Sequence, residues 1–263
     1  MKGNDVLIKT FKLVRKIPGQ KMHVYITIVG DTLVDTGPYS LHKQVKNIVK
    51  EHQIRNVIHT HHHEDHTGNS PWIEEHLMVP QWIHKDGVTK CMNNTKLPFY
   101  RSVFWNNRKS FNPMKFESSE FHTKEHTFKI LHTPGHSDDH VIFIDEEKGI
   151  CLSGDLYLYH SPTSHFSFES VPELIHSLNK ALNYNFQEIY CSHGGYLPNG
   201  RRLMERKRDY LLNLQEKVLT HFQKGMSPAE IREMLLPKNK AFQYLSGFEN
   251  SPMHTIRSII EHT

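Results

Sequence analysis

The sequence predicts an α/β fold: two β-rich halves that carry helices, then a helical extension over 200–263. Short apolar segments ending in turn residues recur as far as Cys191, and an amphipathic stretch separates the first of them. After Pro198 the apolar residues recur at helical spacing instead. No repeat, low-complexity run or Pro/Gly-rich linker divides the chain, so 1–199 is expected to form one core.

Taken in order, residues 23–28 are rich in β-formers, Gly30-Asp31 is a hairpin turn, and Thr32-Leu33-Val34 returns as a strand. Asp35-Thr36-Gly37-Pro38 ends it. Leu41, Val45, Ile48 and Val49 share one face of a helix predicted over 41–52. Asn56-Val57-Ile58 is a short strand of the kind buried on both sides, and it runs into a cluster of histidines. Residues 85–125 interleave Phe99, Tyr100, Phe104, Trp105, Phe111 and Phe116 with Asn, Lys and Arg at poor periodicity. An irregular insertion packed by its own aromatics is expected there, the other reading being a lid or substrate wall. Strands follow at 128–131, 141–144, 150–152 and 188–191. Leu203, Tyr210, Leu211, Leu214, Val218 and Phe222 then mark a helix, and Ser227-Pro228 caps and opens another through Leu235.

Hydrophobic residues at 37% and charged residues at 23% fit a globular protein rather than a disordered one. No apolar run approaches the roughly 20 residues of a membrane helix, so no membrane contact is expected. Residues 1–16 alternate apolar and charged side chains and hold no signal-peptide core. A net charge of +4 is too small to argue for nucleic acid by itself. Three cysteines are not a disulfide framework, and a cytoplasmic location is expected. Cys151 and Cys191 read as packing residues within apolar strands. Composition leaves one anomaly: 22 histidines in 263 residues.

Four of the candidate ligands stand together in Thr60-His61-His62-His63-Glu64-Asp65-His66. Imidazole nitrogen and carboxylate oxygen are ligands that zinc and similar ions accept. By the period of two, His61 and His63 share a side, while Asp65 and His66 fall on the next turn and reach a neighbouring position. Ligands this dense suit two ions better than one, yet complete neither set. His136 after a Pro-Gly turn, Asp155 after Ser153-Gly154 and His193 after an apolar strand stand where the missing ligands should be. His59, His62 and His132 point away by alternation and read as structural.

His61-x-His63-x-Asp65-His66, with Asp35-Thr36-Gly37 before it and His136, Asp155 and His193 after it, resembles the metallo-β-lactamase-fold hydrolases. Within them it looks most like the glyoxalase II-like and lactamase-β-like branch, through Thr133-Pro134-Gly135-His136-Ser137 and Ser153-Gly154-Asp155. The resemblance runs through about residue 196 and implies a four-layer αβ/βα sandwich with metals at one edge between two sheets. It implies two divalent metal ions, zinc before manganese or iron. His61, His63 and His136 would hold the first, Asp65, His66 and His193 the second, and Asp155 would bridge them. Asp35 and His140 would stand behind the ligands and orient them. Asp65 and Asp155 are the implied catalytic carboxylates. Two dications, two carboxylates and a bridging hydroxide leave about one positive charge, which favours an anionic substrate and a developing oxyanion. The implied activity is hydrolysis, by that hydroxide, of a small anionic ester, thioester or lactone.

Two other activities compete. Arg201, Arg202, Arg206, Lys207 and Arg208 could form a phosphate-binding strip of an endoribonuclease or phosphodiesterase. The plainer reading of that run is a solvated helix face on which Glu205 and Asp209 pair with the basic residues. Related ligands can also hold a single iron for persulfide oxidation. Tyr157 and Tyr196 are candidate substrate contacts, each equally readable as core packing, and Cys91 carries no reading.

Overall fold

The computed structural model describes residues 8–17 and 20–262; residues 1–7, on which part of the signal-peptide reading rests, lie outside them. The chain opens with a ribbon of β1 (Lys9–Ile17) against β2 (Gln20–Val29), and β3 (Thr32–Val34) returns along β2. Then come α1 (His42–Glu51), β4 (Asn56–Ile58), α2 (Glu64–Thr67), α3 (Ser70–Leu77), β5 (Gln81–Ile83), α4 (Lys85–Cys91), α5 (Phe99–Trp105) and β6 (Met114–Lys115). Strands β1 to β6 lie in sequence order in one six-stranded sheet, parallel from β3 onward.

The second half contributes β7 (Glu120–His122), β8 (Thr127–His132), β9 (Val141–Asp145), β10 (Ile150–Gly154), β11 (His165–Phe166), α6 (Val171–Leu182), β12 (Glu188–Cys191) and β13 (Gly195–Leu197). Its six-stranded sheet has the order β13-β12-β10-β9-β8-β7, with β10 and β12 parallel. The chain ends in α7 (Gly200–Gln223), α8 (Pro228–Leu235), α9 (Ala241–Leu245), β14 (Asn250–Ser251) and α10 (Pro252–His262), and β14 pairs with β11.

Apolar burial arranges these elements as four layers. Val29, Val34 and Ile58 of the first sheet pack against Phe128, Val141, Phe143 and Leu152 of the second, forming the core between the sheets. The first sheet's other face is covered through Val45 and Val49 of α1 and Ile73 of α3. The second sheet's other face packs with Leu174 and Leu178 of α6, Met204 and Leu211 of α7, Ile231 of α8 and Ile256 of α10. Strands β9 and β10 are buried along their whole length, as strands covered on both faces must be. Ser227 and Glu230 close a capping box at the start of α8, as the Ser-Pro pair predicts. No helix among the described residues is long and apolar enough to cross a membrane.

Three readings need correction. Residues 85–125 are not wholly an irregular insertion, because they supply β6 to one sheet and β7 to the other. Their periodicity is poor because these strands span two or three residues and the helices seven each. Lys207 does not belong to a solvated or phosphate-facing strip: it is 3% exposed and donates to the carbonyls of Leu156 and Tyr157. The rest of the run keeps the plainer reading: Arg202 and Arg206 are exposed, Arg201 pairs with Glu205 and Arg208 with Asp209, and Arg201 also donates to the carbonyls of Leu182 and Tyr184. Strand β1 is absent from the sequence reading, although the alternation in residues 8–17 is the signal of a half-exposed strand. All three cysteines are free and buried, Cys91 included.

Candidate metal centre

Parallel strands bring the polar residues to one edge. Asp35 follows β3, His61 and His63 follow β4, Asp155 follows β10, and His193 follows β12. Loops past the carboxyl ends of parallel strands gather into a crevice, and there these side chains meet. The strand-to-loop turns are tight. Gly154 adopts a φ of 48°, and a Cβ there would stand 2.6 Å from His140 Nε2, so glycine is required before Asp155.

Two sets of atoms converge. His61 Nε2 lies 2.9 Å and His136 Nε2 3.1 Å from His63 Nδ1. Beside them, Asp65 Oδ2 lies 3.3 Å from His193 Nε2 and 3.8 Å from His66 Nε2. Asp155 Oδ2 stands between the sets, 3.4 Å from His136, 3.4 Å from His193 and 3.5 Å from His66. On a tetrahedral ion with bonds of about 2.05 Å, neighbouring ligand atoms are about 3.3 Å apart, which these spacings bracket.

Each of four imidazoles is held from behind. Glu169 can only accept, so His136 Nδ1 donates to it at 2.7 Å, which in the neutral ring leaves the Nε2 lone pair facing the centre. Thr60 Oγ1 donates to Asp35 and accepts from His61 Nδ1 at 3.0 Å, with the same result. His66 Nδ1 donates to Asp35 at 2.8 Å, and His193 Nδ1 donates to the carbonyl of His23 at 3.0 Å. The lone pairs of His61 and His136 therefore converge on His63 Nδ1, where one proton could serve only one of them. His66 Nε2 and Asp155 Oδ1 are buried with no hydrogen-bond partner. Orphaned atoms at the centre of a converging N/O donor set are what a cation would satisfy.

Charge is divided across the centre. Burial pushes the pKa of His61 and His63 well below the ordinary range, so both stay neutral and keep their lone pairs. Burial works against protonation of His66 and His193 too, but Asp155 and Asp65 outweigh it and hold both well above that range. Burial likewise opposes ionisation of Asp155, and His193 and His66 reverse it, keeping the carboxyl well below its usual value.

Of the residues expected behind the ligands, Asp35 accepts from the Thr60 N–H at 2.9 Å as well as from His66, and its backbone is left-handed, with φ 57°. Burial pushes His140 down to about 3; its Nδ1 faces Thr133 and its Nε2 accepts from the Asp155 N–H at 3.0 Å. It thus fixes the backbone of Asp155. His59 is buried on Gln81 and Ser70, His62 is bonded to Asp139, and His132 stacks on His84. The two candidate tyrosines sit differently, Tyr157 in the core as its packing alternative expects and Tyr196 at the surface. Tyr157 is 6% exposed within the core under α6, and Tyr196 is 47% exposed with its hydroxyl on Glu188. Neither lines the cavity at the centre. Sequence reasoning missed Glu169, because its partner is 33 residues away and no local pattern joins them. It missed the bidentate Glu64–Arg101 pair beside the centre for the same reason.

A four-layer α/β sandwich with a histidine and aspartate cluster at its strand ends defines a class of metal-site proteins. The family model of the metallo-beta-lactamase superfamily matches residues 23–193, and the chain belongs to that superfamily. It is 18% identical to a metallo-beta-lactamase family protein of Thermus thermophilus, with a TM-score of 0.67 over 96% of this chain and 92% of that one. Among curated proteins it is 23% identical to an atrochrysone carboxyl ACP thioesterase of Aspergillus fumigatus over 79% of this chain and 61% of that one. It is 25% identical to a protein of Bacillus subtilis named "Probable metallo-hydrolase", over 81% and 80%. The chain spans about half to three-fifths of the length of the first curated relatives it matches.

Proposed function

We propose that this chain is a binuclear metal-dependent hydrolase of esters, thioesters or lactones. The observation that carries the reading is Asp155 Oδ2, placed within 3.5 Å of ligand atoms from both sets. His61, His63 and His136 would hold one ion, Asp65, His66 and His193 the other, and Asp155 both. The donor set suits zinc, with manganese or iron as competitors. Such ions lower the pKa of bound water to about 7 and polarise a carbonyl.

The chain's own groups do the rest. Asp35, Thr60, Glu169 and the His23 carbonyl fix the imidazoles before substrate arrives, so little reorganisation is needed. Asp65 lines the cavity, and although burial works against its ionisation, His66 and His193 hold its carboxyl below the usual range. In this reading Asp65 would take a proton from the attacking water at a carboxylate oxygen. The relatives named as thioesterases support a thioester among the substrates.

The test is a panel of thioesters, esters and lactones offered to metal-replete, metal-stripped and zinc-restored protein. Turnover that is lost on stripping, restored by zinc and nearly abolished in Asp155→Ala supports the reading. No turnover of any substrate by protein shown to carry metal would overturn it.

A further inference from the structure

The centre opens into a cavity of about 210 Å³, lined by His63, Asp65, His136, Asp155 and His193 on one side. Most of the remaining lining is apolar and comes from parts of the chain far apart in sequence. Phe104 and Trp105 belong to α5, Leu158, Phe166 and Phe168 to the segment around β11, and Phe242 to α9 of the C-terminal extension. Tyr100, Phe104 and Trp105 pack with Ile17, Met22, Phe166 and Phe242 as one aromatic cluster.

The guanidinium on this wall is already engaged. Arg101 binds both oxygens of buried Glu64 at 2.7 Å each and lies 3.6 Å from Glu249. Its Cζ lies 5.9 Å and 5.6 Å from the ring centroids of Phe166 and Phe168, which stack on each other at 5.2 Å. No lysine lines the cavity among the described residues. The wall therefore offers rings and no free cation for an anionic tail. Phe168 is 43% exposed although its edge-on contact places it 5.4 Å from the ring of His63, so an apolar surface is left open beside a candidate metal ligand.

We infer that this cavity receives the acyl side of the substrate, and that this acyl group is apolar and ring-bearing. The inference rests on the hydrolase reading and names its substrate class. Size sets the scale: an apolar cavity of about 150 Å³ accepts benzene, so about 210 Å³ takes a substituted ring or two fused rings. Aromatic walls add edge-to-face contacts that a straight chain lacks. The positive character expected of a loaded centre then acts on the reacting carbonyl, where negative charge develops, and not on the acyl tail.

The experiment compares acetyl, succinyl, phenylacetyl and 2-naphthylacetyl thioesters of N-acetylcysteamine, hydrolysed by the zinc-loaded full chain. The methylene insulates each ring from the carbonyl, keeping intrinsic reactivities similar. We expect kcat/KM for the two ring-bearing substrates to exceed that for acetyl by about 100-fold. That preference should fall about tenfold in Phe168→Ala and in Phe242→Ala. Equal rates for acetyl and phenylacetyl, or a preference for succinyl, would overturn the inference while leaving the hydrolase reading standing. A second readout needs no turnover: neutral 2-naphthaleneethanol should quench the tryptophan fluorescence of metal-free protein saturably, and Trp105→Phe should abolish the response. If none of these thioesters is hydrolysed, the ester and lactone panel decides the hydrolase reading, and this binding test alone decides the cavity. Saturable, Trp105-dependent quenching sustains it, and its absence sinks it.

Discussion

His66 and His193 show how single residues set the behaviour of the centre. Their pKa values are raised by Asp155 and Asp65 against the opposing pull of burial, so in metal-free protein at pH 7 both hold protons that a cation must displace. Metal affinity should therefore rise with pH above the ordinary imidazole range. Calorimetry in buffers of differing ionisation enthalpy should find about two protons released as the ions bind at pH 7. Release of none would contradict the assignment. Glu169 supplies a second case. Glu169→Gln keeps an acceptor for His136 but removes its charge, and should weaken metal affinity about 10- to 100-fold in chelator competition. An unchanged affinity would show that the contact is incidental. The seven candidate ligands were legible in sequence because coordination demands particular residue types at strand ends. Glu169, Thr60 and the His23 carbonyl were not, because their roles come from tertiary contacts to residues of ordinary type.

Elements were legible where their length exceeds their ambiguity. Helix α1 and strands β4, β8, β9, β10 and β12 fall within a residue or two of their expected spans. The segment from α4 to β7 misled because its elements are too short to establish a period, and its aromatic residues divide among tasks: Tyr100, Phe104 and Trp105 line the cavity, while Phe111 and Phe116 pack elsewhere in the interior. Helix α7 misled differently. Its basic run reads as a surface, yet Lys207 is turned inward onto two carbonyls. Burial lowers this lysine from 10.5 to about 8. Between those values the unfolded chain binds the extra proton, so stability rises with pH across the window, by up to roughly 3 kcal/mol from this group. Denaturant titrations of wild type and Lys207→Met should show the wild type gaining on the variant between pH 8 and 10.5. A difference that stays flat would show that the lysine is charged in the fold.

Across the whole molecule, the sandwich has one task that neither half performs alone. The first sheet supplies Asp35 and the 61–66 segment, the second supplies His136, Asp155 and His193, and the inter-sheet core of Val34, Ile58, Phe143 and Leu152 holds the two edges in register. The C-terminal extension closes the same region, through Glu249 on Tyr100 and Arg101 and through Phe242 on the cavity wall. The central claim is that this junction holds two ions, and anomalous diffraction from zinc-soaked crystals tests it most directly. Two peaks are predicted, one within about 2.0–2.1 Å of nitrogen atoms from His61, His63 and His136, the other bound by Asp65, His66 and His193. One peak alone, or peaks only at other residues, would contradict the account.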